Sequence, residues 1–140
     1  FIVVPEGARD RLGEVFAQAL RERDAAATDD QLARAREKAQ RAPVLVLAVV
    51  RLGPDGPEIP AAERLVSLGA AIQNLLLGAQ ALGYGSALTS GQAMGSPRLA
   101  QLFGLAEGES AVCCINLGTA DGAPRPGRER PPPSRFTSTL

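Results

Sequence analysis

Residues 61–91 read AAERLVSLGAAIQNLLLGAQALGYGSALTSG, and the spacing of apolar residues in this stretch decides the fold. Leu65, Leu68, Ile72, Leu75, Leu76, Ala79 and Leu82 recur at intervals of three and four, which is one face of a helix. Val66, Ala70, Leu77 and Ala81 add a second apolar face, so the helix is expected to be buried at the centre of the fold. Gly69, Ala70, Ala71, Gly78 and Ala79 thin its surface enough for close approach of another helix, as in a central or subunit-crossing element. Gly83 supplies a left-handed residue to end it. The Gly- and Ser-rich passage Gly83–Gly91 then reads as a turn whose amides and hydroxyls can approach a flat ligand.

Working outward, Phe1–Val4 is a short apolar run stopped by Pro5, a buried strand. Glu6–Arg23 is an amphipathic helix with Leu12, Val15, Phe16 and Leu20 inward and Arg9, Asp10, Arg11, Arg21 and Glu22 outward. Thr28 or Asp29 caps a second helix through about Gln40, where Leu32 is the only large apolar residue, so this helix is expected at the periphery. Val44–Val50 is an unbroken apolar run, the mark of a central strand covered on both faces. Leu52–Pro60 is turn-rich. Ser96 and Pro97 open a further helix that Gly104 ends, and Ala111–Gly118 is another buried strand. The tail from Asp121 is rich in Pro and Arg and reads as extended, a composition that also suits a polyproline ligand. The domain therefore spans residues 1–120 and the tail 121–140. The class is α+β, a central mixed sheet flanked by helices.

The 140 residues suit a single domain, and 45% hydrophobic with 21% charged residues is a globular composition. Fifteen basic and fifteen acidic residues balance, which recommends neither nucleic acid nor an anionic membrane as partner. Ser67, Gln73, Asn74 and Gln80 interrupt the long helix as a membrane span. There is no histidine, so neither imidazole-based nucleophilic catalysis nor a histidine metal site is available. Cys113 and Cys114 are adjacent, without zinc or redox-motif spacing, and read as small buried hydrophobes. No secretory signal is visible, and the expected compartment is cytoplasmic. A chain opening on Phe1 within strand-like sequence reads as a fragment or processed piece.

GAAIQNLLLGAQALGYGSALTSG resembles the signature of the nitroreductase family of FMN-dependent NAD(P)H oxidoreductases. In that family a buried helix with an A-x-Q-N-L-L-L-A-A core runs into a G-x-G turn beneath the flavin. The order of the APVLVL strand, a loop, the long helix, and then LFGLAEGESAVCCINLGTA is also similar. The resemblance implies a nitroreductase-like fold with FMN bound and NAD(P)H as reductant. It implies cofactor contacts at Leu88, Thr89, Ser90 and Gly91, although Thr89 and Ser90 also have the plain reading of satisfying a turn. Leu88 stands where many relatives have a larger aromatic residue. Arg128 and Arg130 are implied phosphate partners, their fork geometry suiting phosphate, against the alternative that both are solvated. Gly78, Ala79, Gln80, Ala81, Leu82 and Gly83 are implied at the nicotinamide donor, though a tightly packed helix end would need the same residues. Asn74 is read as bonding a neighbouring backbone or bridging subunits, and the helix from Thr28 to Gln40 as a lid.

No catalytic side chain is required, because the flavin carries the reaction. The expected partners are a second copy in a homodimer and a small-molecule electron acceptor such as a nitroaromatic or quinone. The family's N-terminal R-R-S-x-R phosphate motif and Q-P-W segment would fall upstream of Phe1. A second class of function therefore stands beside the enzyme: a non-catalytic flavin or ligand carrier, or a truncated partner of a full-length protein.

Overall fold

The computed structural model describes residues 1–52, 59–120 and 129–139. The eight principal elements are β1 (Ile2–Val3), α1 (Arg9–Arg23), α2 (Asp29–Glu37), β2 (Val44–Arg51), α3 (Ala61–Ala81), β3 (Gly85–Thr89), α4 (Pro97–Phe103) and β4 (Glu109–Gly118). The strands form one sheet in the order β1-β2-β4-β3. Every neighbouring pair is antiparallel, so the expected mixed sheet is corrected to an antiparallel one. The fourth strand, β3, lies in the passage read as a turn. Gly85 and Ser86 are poor strand formers, and it is pairing with β4, with Leu88 opposite Ile115 and Thr89 opposite Cys114, that makes this segment extended.

The β2–β4 ladder sorts the side chains of the sheet. Leu45, Leu47 and Cys114 point to one face and pack with Leu12, Phe16, Leu32 and Leu99 of α1, α2 and α4. Val46, Ala48, Cys113 and Ile115 point to the other, where Ile72 of α3 meets them. A bulge between Ala48 and Val49 leaves Val112 as an extra residue in β4.

Two local readings are corrected, and a third is refined. The first strand is an edge strand rather than a buried one: Val4 is buried, but Phe1 and Val3 are exposed. Arg9, assigned to the wet face of the first helix, is buried. Its guanidinium donates to the carbonyls of Ala42 and Pro43, tying the start of α1 to the approach to β2. α2 lies on the outside, as expected, with seven of its nine residues exposed, but it docks on α1 through the buried Leu32 and Ala35, with Ala39 buried just beyond its end. A Cβ placed on Gly13 would sit 3.0 Å from the Arg36 carbonyl oxygen, so α1 and α2 meet backbone to backbone through small residues. Counting large apolar residues misses such packing, because alanine and glycine earn close approach rather than area. The Thr28–Gln31 capping box starts α2, and Arg36 reaches Glu14 of α1 at 2.6 Å. That hydrogen bond holds the Glu14 carboxyl below its ordinary range.

The long helix is corrected in one respect. α3 lies against the sheet through Leu68, Ile72, Leu75 and Leu76, and within this chain only Ile72 is fully buried. Val66 is 73% exposed, Leu77 53% and Leu82 77%. Nothing lies within 4 Å of a Cβ placed on Gly69 or Gly78. Apolar periodicity reports that a surface is to be covered, and it cannot say that the cover belongs to the same chain.

Gly118 has a different role, since a Cβ there would fall 2.6 Å from Pro43 Cδ and 2.9 Å from Cγ. Gly118→Val is expected to lower stability by about 1–3 kcal/mol, read from urea midpoints. Cys113 and Cys114 are free thiols buried in β4. Desolvation raises both, and pushes Cys114 to about 11 from 9.0, with the neighbouring Cys113 adding to the effect. The unfolded chain therefore loses this proton first, and stability is expected to fall as pH rises from about 9 to 11. The Cys114 contribution is on the order of 2–3 kcal/mol, and urea melts across this range should show a shallower slope for Cys114→Ala.

Candidate functional site

The segment that leaves β3 builds the site. Thr89 and Asn116 lie on the sheet face that carries α1 and α2, since Thr89 pairs with Cys114 and Asn116 with Leu45. Asn116 Nδ2 donates to the Ala87 carbonyl at 3.2 Å and to Thr89 Oγ1 at 2.9 Å. With its oxygen accepting from the amide, the Thr89 hydroxyl keeps its proton for another acceptor. Asn116 Oδ1 is buried and has no hydrogen-bond partner among the described residues. Beyond the last β3–β4 pair the Ser90 hydroxyl donates to the Val112 carbonyl at 2.9 Å, in the bulged part of β4. Gly91 follows at φ 151°, a backbone conformation open mainly to glycine. A Cβ at Gly91 would meet nothing within 4 Å, so a ligand can approach the backbone there.

Thr89, Ser90 and Gly91 form the lip of a cleft of about 190 Å³. Its opposite wall is helical, with Phe16, Leu20 and Arg23 from α1, Ala35 from α2 and Lys38 just after it; Met94 closes the floor. Fixed hydroxyls, open backbone and an apolar floor can take the edge of a planar ring.

The residues singled out in the sequence do not all meet. Leu88 alternates with Thr89 along β3, so it faces the α3 side, half exposed and outside the cleft. On that side Gly78, Ala79 and Leu82 line a second, apolar hollow of about 510 Å³ with Val44, Tyr84 and Leu117, whereas Gln80 and Ala81 do not line it. Gly83 ends α3 at φ 83°. Asn74 is exposed on α3, and its side chain makes no hydrogen bond among the described residues. Arg130 is exposed in the tail, and Arg128 lies outside the described residues. The helix offered as a lid, α2, is packed firmly on α1 and contributes a fixed wall. Sequence reasoning did not find Phe16, Arg23, Lys38 or Asn116 as site residues. Asn116 alone left a signal, a polar residue within a buried strand.

The model of the family described as "Nitroreductase family" matches residues 1–119. The chain belongs to the nitroreductase family. A Haemophilus influenzae protein named "Putative NAD(P)H nitroreductase" is 29% identical over 119 residues, covering 85% of this chain and 64% of that protein. YdjA of Escherichia coli, under the same description, is 32% identical over 120 residues, covering 85% and 63%. The chain thus spans less than two thirds of the length of these curated relatives.

Among solved structures, a nitroreductase-like protein from Bacillus cereus superposes with a TM-score of 0.75 at 20% identity, over 99% of this chain and 71% of that one. The NADPH:FMN oxidoreductase of Vibrio harveyi, solved with NAD+, gives 0.69 at 17%, over 99% and 57%. The expected nitroreductase-like α+β fold is therefore borne out. Among the described residues no helix is long and apolar enough to cross a membrane.

The hydrogen bonds of Asn116 are testable without any ligand. Asn116→Ala should cost about 1–3 kcal/mol in urea unfolding, as a buried network is broken. A double-mutant cycle with Thr89→Val should return a coupling of about 0.5–1.5 kcal/mol, and a coupling near zero would show that the 2.9 Å contact does not hold the lip.

Proposed function

We propose that this protein is an FMN-dependent oxidoreductase that takes hydride from NAD(P)H and reduces a nitroaromatic, quinone or related electrophilic acceptor. The observation that carries the reading is the lip Thr89–Gly91: a threonine hydroxyl oriented by Asn116, then a serine tied to Val112, then a glycine open to close approach. FMN, when bound, supplies the hydride and electron chemistry.

The chain's own residues bind and orient in this reading. Thr89, Ser90 and Gly91 meet the polar edge of the ring system and Arg128 and Arg130 take the phosphate, whereas Leu88, on the α3 face of the sheet, lies outside that cleft. For the nicotinamide donor implied at Gly78–Gly83, the apolar hollow lined by Gly78, Ala79, Leu82 and Tyr84 lies on the α3 face of the sheet, so a flat ring there would serve a flavin held by a second copy rather than one in this chain's own cleft. We take residues 1–120 as the domain, 121–140 as an extended tail, and the cytoplasm as the setting, in keeping with two free thiols.

The exposed apolar face of α3 supports a homodimer in which a second copy covers Val66 and Leu77 and approaches Gly69 and Gly78. Pockets for whole cofactors run to roughly 300–1,000 Å³, more than the 190 Å³ of the cleft in one chain. That difference favours a site shared between copies. It equally supports the second reading, a non-catalytic partner on the same fold that lends its surface to a longer protein.

Visible spectra with added FMN separate the two. The oxidoreductase reading expects bound-flavin bands that NAD(P)H bleaches without oxygen and an acceptor restores, with a dimer in sedimentation. Flavin that binds and is not bleached by NADH or NADPH would leave the non-catalytic reading.

A further inference from the structure

The rim of the cleft carries a charge pattern that flavin-edge binding does not use. Arg23 and Lys38 line it from the helical side, and no acidic residue lines it at all. Among the described residues neither cation has a carboxylate partner, which is equally true of Arg11, Arg21, Arg41, Arg64, Arg130 and Arg135, but Arg23 and Lys38 face one cleft. In a chain of balanced charge, two unpaired cations at one mouth create a local positive field. The same cleft is lined by the apolar side chains of Phe16 and Met94, both largely buried. The cleft, about 190 Å³ and open at its mouth, suits one aromatic ring with a substituent rather than a dinucleotide.

We propose that this cleft binds small aromatic anions, with a carboxylate or similar acid at Arg23 and Lys38 and the ring over Phe16 and Met94, its far end toward Thr89. Arginine pairs with a carboxylate through its planar fork and lysine adds a mobile point charge, so the two together favour an oxyanion over a neutral substituent of the same shape. Desolvation beside the apolar floor strengthens that preference. Binding of such a molecule does not depend on a flavin; that it serves as the electron acceptor rests on the function proposed above.

Titrating the flavin-free chain with 4-nitrobenzoate and with nitrobenzene, followed by amide chemical shifts, tests the assignment. The expected result is at least about 10-fold tighter binding of the anion, with the largest shifts at residues 89–92. In the double variant Arg23→Gln/Lys38→Gln the preference should collapse toward unity at unchanged thermal midpoint. Equal affinity for the two ligands, shifts elsewhere, or a preference surviving in the double variant overturns the proposal. So does inorganic phosphate competing as strongly as nitrobenzoate, since the ring would then contribute nothing. FMN is titrated separately against both proteins. Flavin that displaces nitrobenzoate and is weakened by the double substitution means that the two cations hold its phosphate, which also overturns the proposal. Nitrobenzoate preference without flavin binding leaves the proposal standing and removes the oxidoreductase reading of this chain.

Discussion

The pairing of β2 with β4 governs the rest of the structure. Eight residue pairs, from Val44 with Leu117 to Arg51 with Glu109, set which side chains of the sheet face α1, α2 and α4 and which face α3. A slip of one residue would exchange the two sets and place Asn116, the one polar member of the buried run, beneath α3 instead of beside Thr89. Both strands are buried along their middles, so the register is specified from two faces at once. The position of the lip follows from it, because β3 takes its own register from β4.

The parts of the fold legible in the sequence are those in which local pattern and tertiary setting agree. The seven-residue run Val44–Val50, the helix cap at Thr28 (read as Thr28 or Asp29), the stop at Gly104 and the helical spacing from Leu65 to Leu82 each encode their structure within a few neighbours. What was hidden depends on partners far along the chain. β3 is a strand because β4 lies beside it, and Arg9 is buried with the two ends of its guanidinium donating to the carbonyls of Ala42 and Pro43, more than thirty residues away. α2 docks through alanines opposite a glycine, a fit that a hydrophobicity count scores as nothing.

The candidate site was legible as a segment and not as a place. Thr89, Ser90 and Gly91 are neighbours in sequence and in space, but Leu88 turns away by strand alternation, and Gly78–Gly83 end on the other side of the sheet. The wall facing the lip comes from α1 and α2, separated from it by some fifty residues or more, and nothing in the composition of those helices marks Arg23 or Lys38 among the other basic residues. Only their shared mouth distinguishes them.

The two cysteines draw a last consequence from the pleat. Because Cys113 packs toward α3 and Cys114 toward α1, α2 and α4, residues joined by one peptide bond belong to different cores. The sheet insulates one sulfur from the other, so oxidation that reached either would not find its neighbour as a ready disulfide partner on the same side. A thiol reagent admitted by a loosening of one layer would meet one cysteine and leave the other untouched, making the pair a built-in reporter of which side of the protein breathes first.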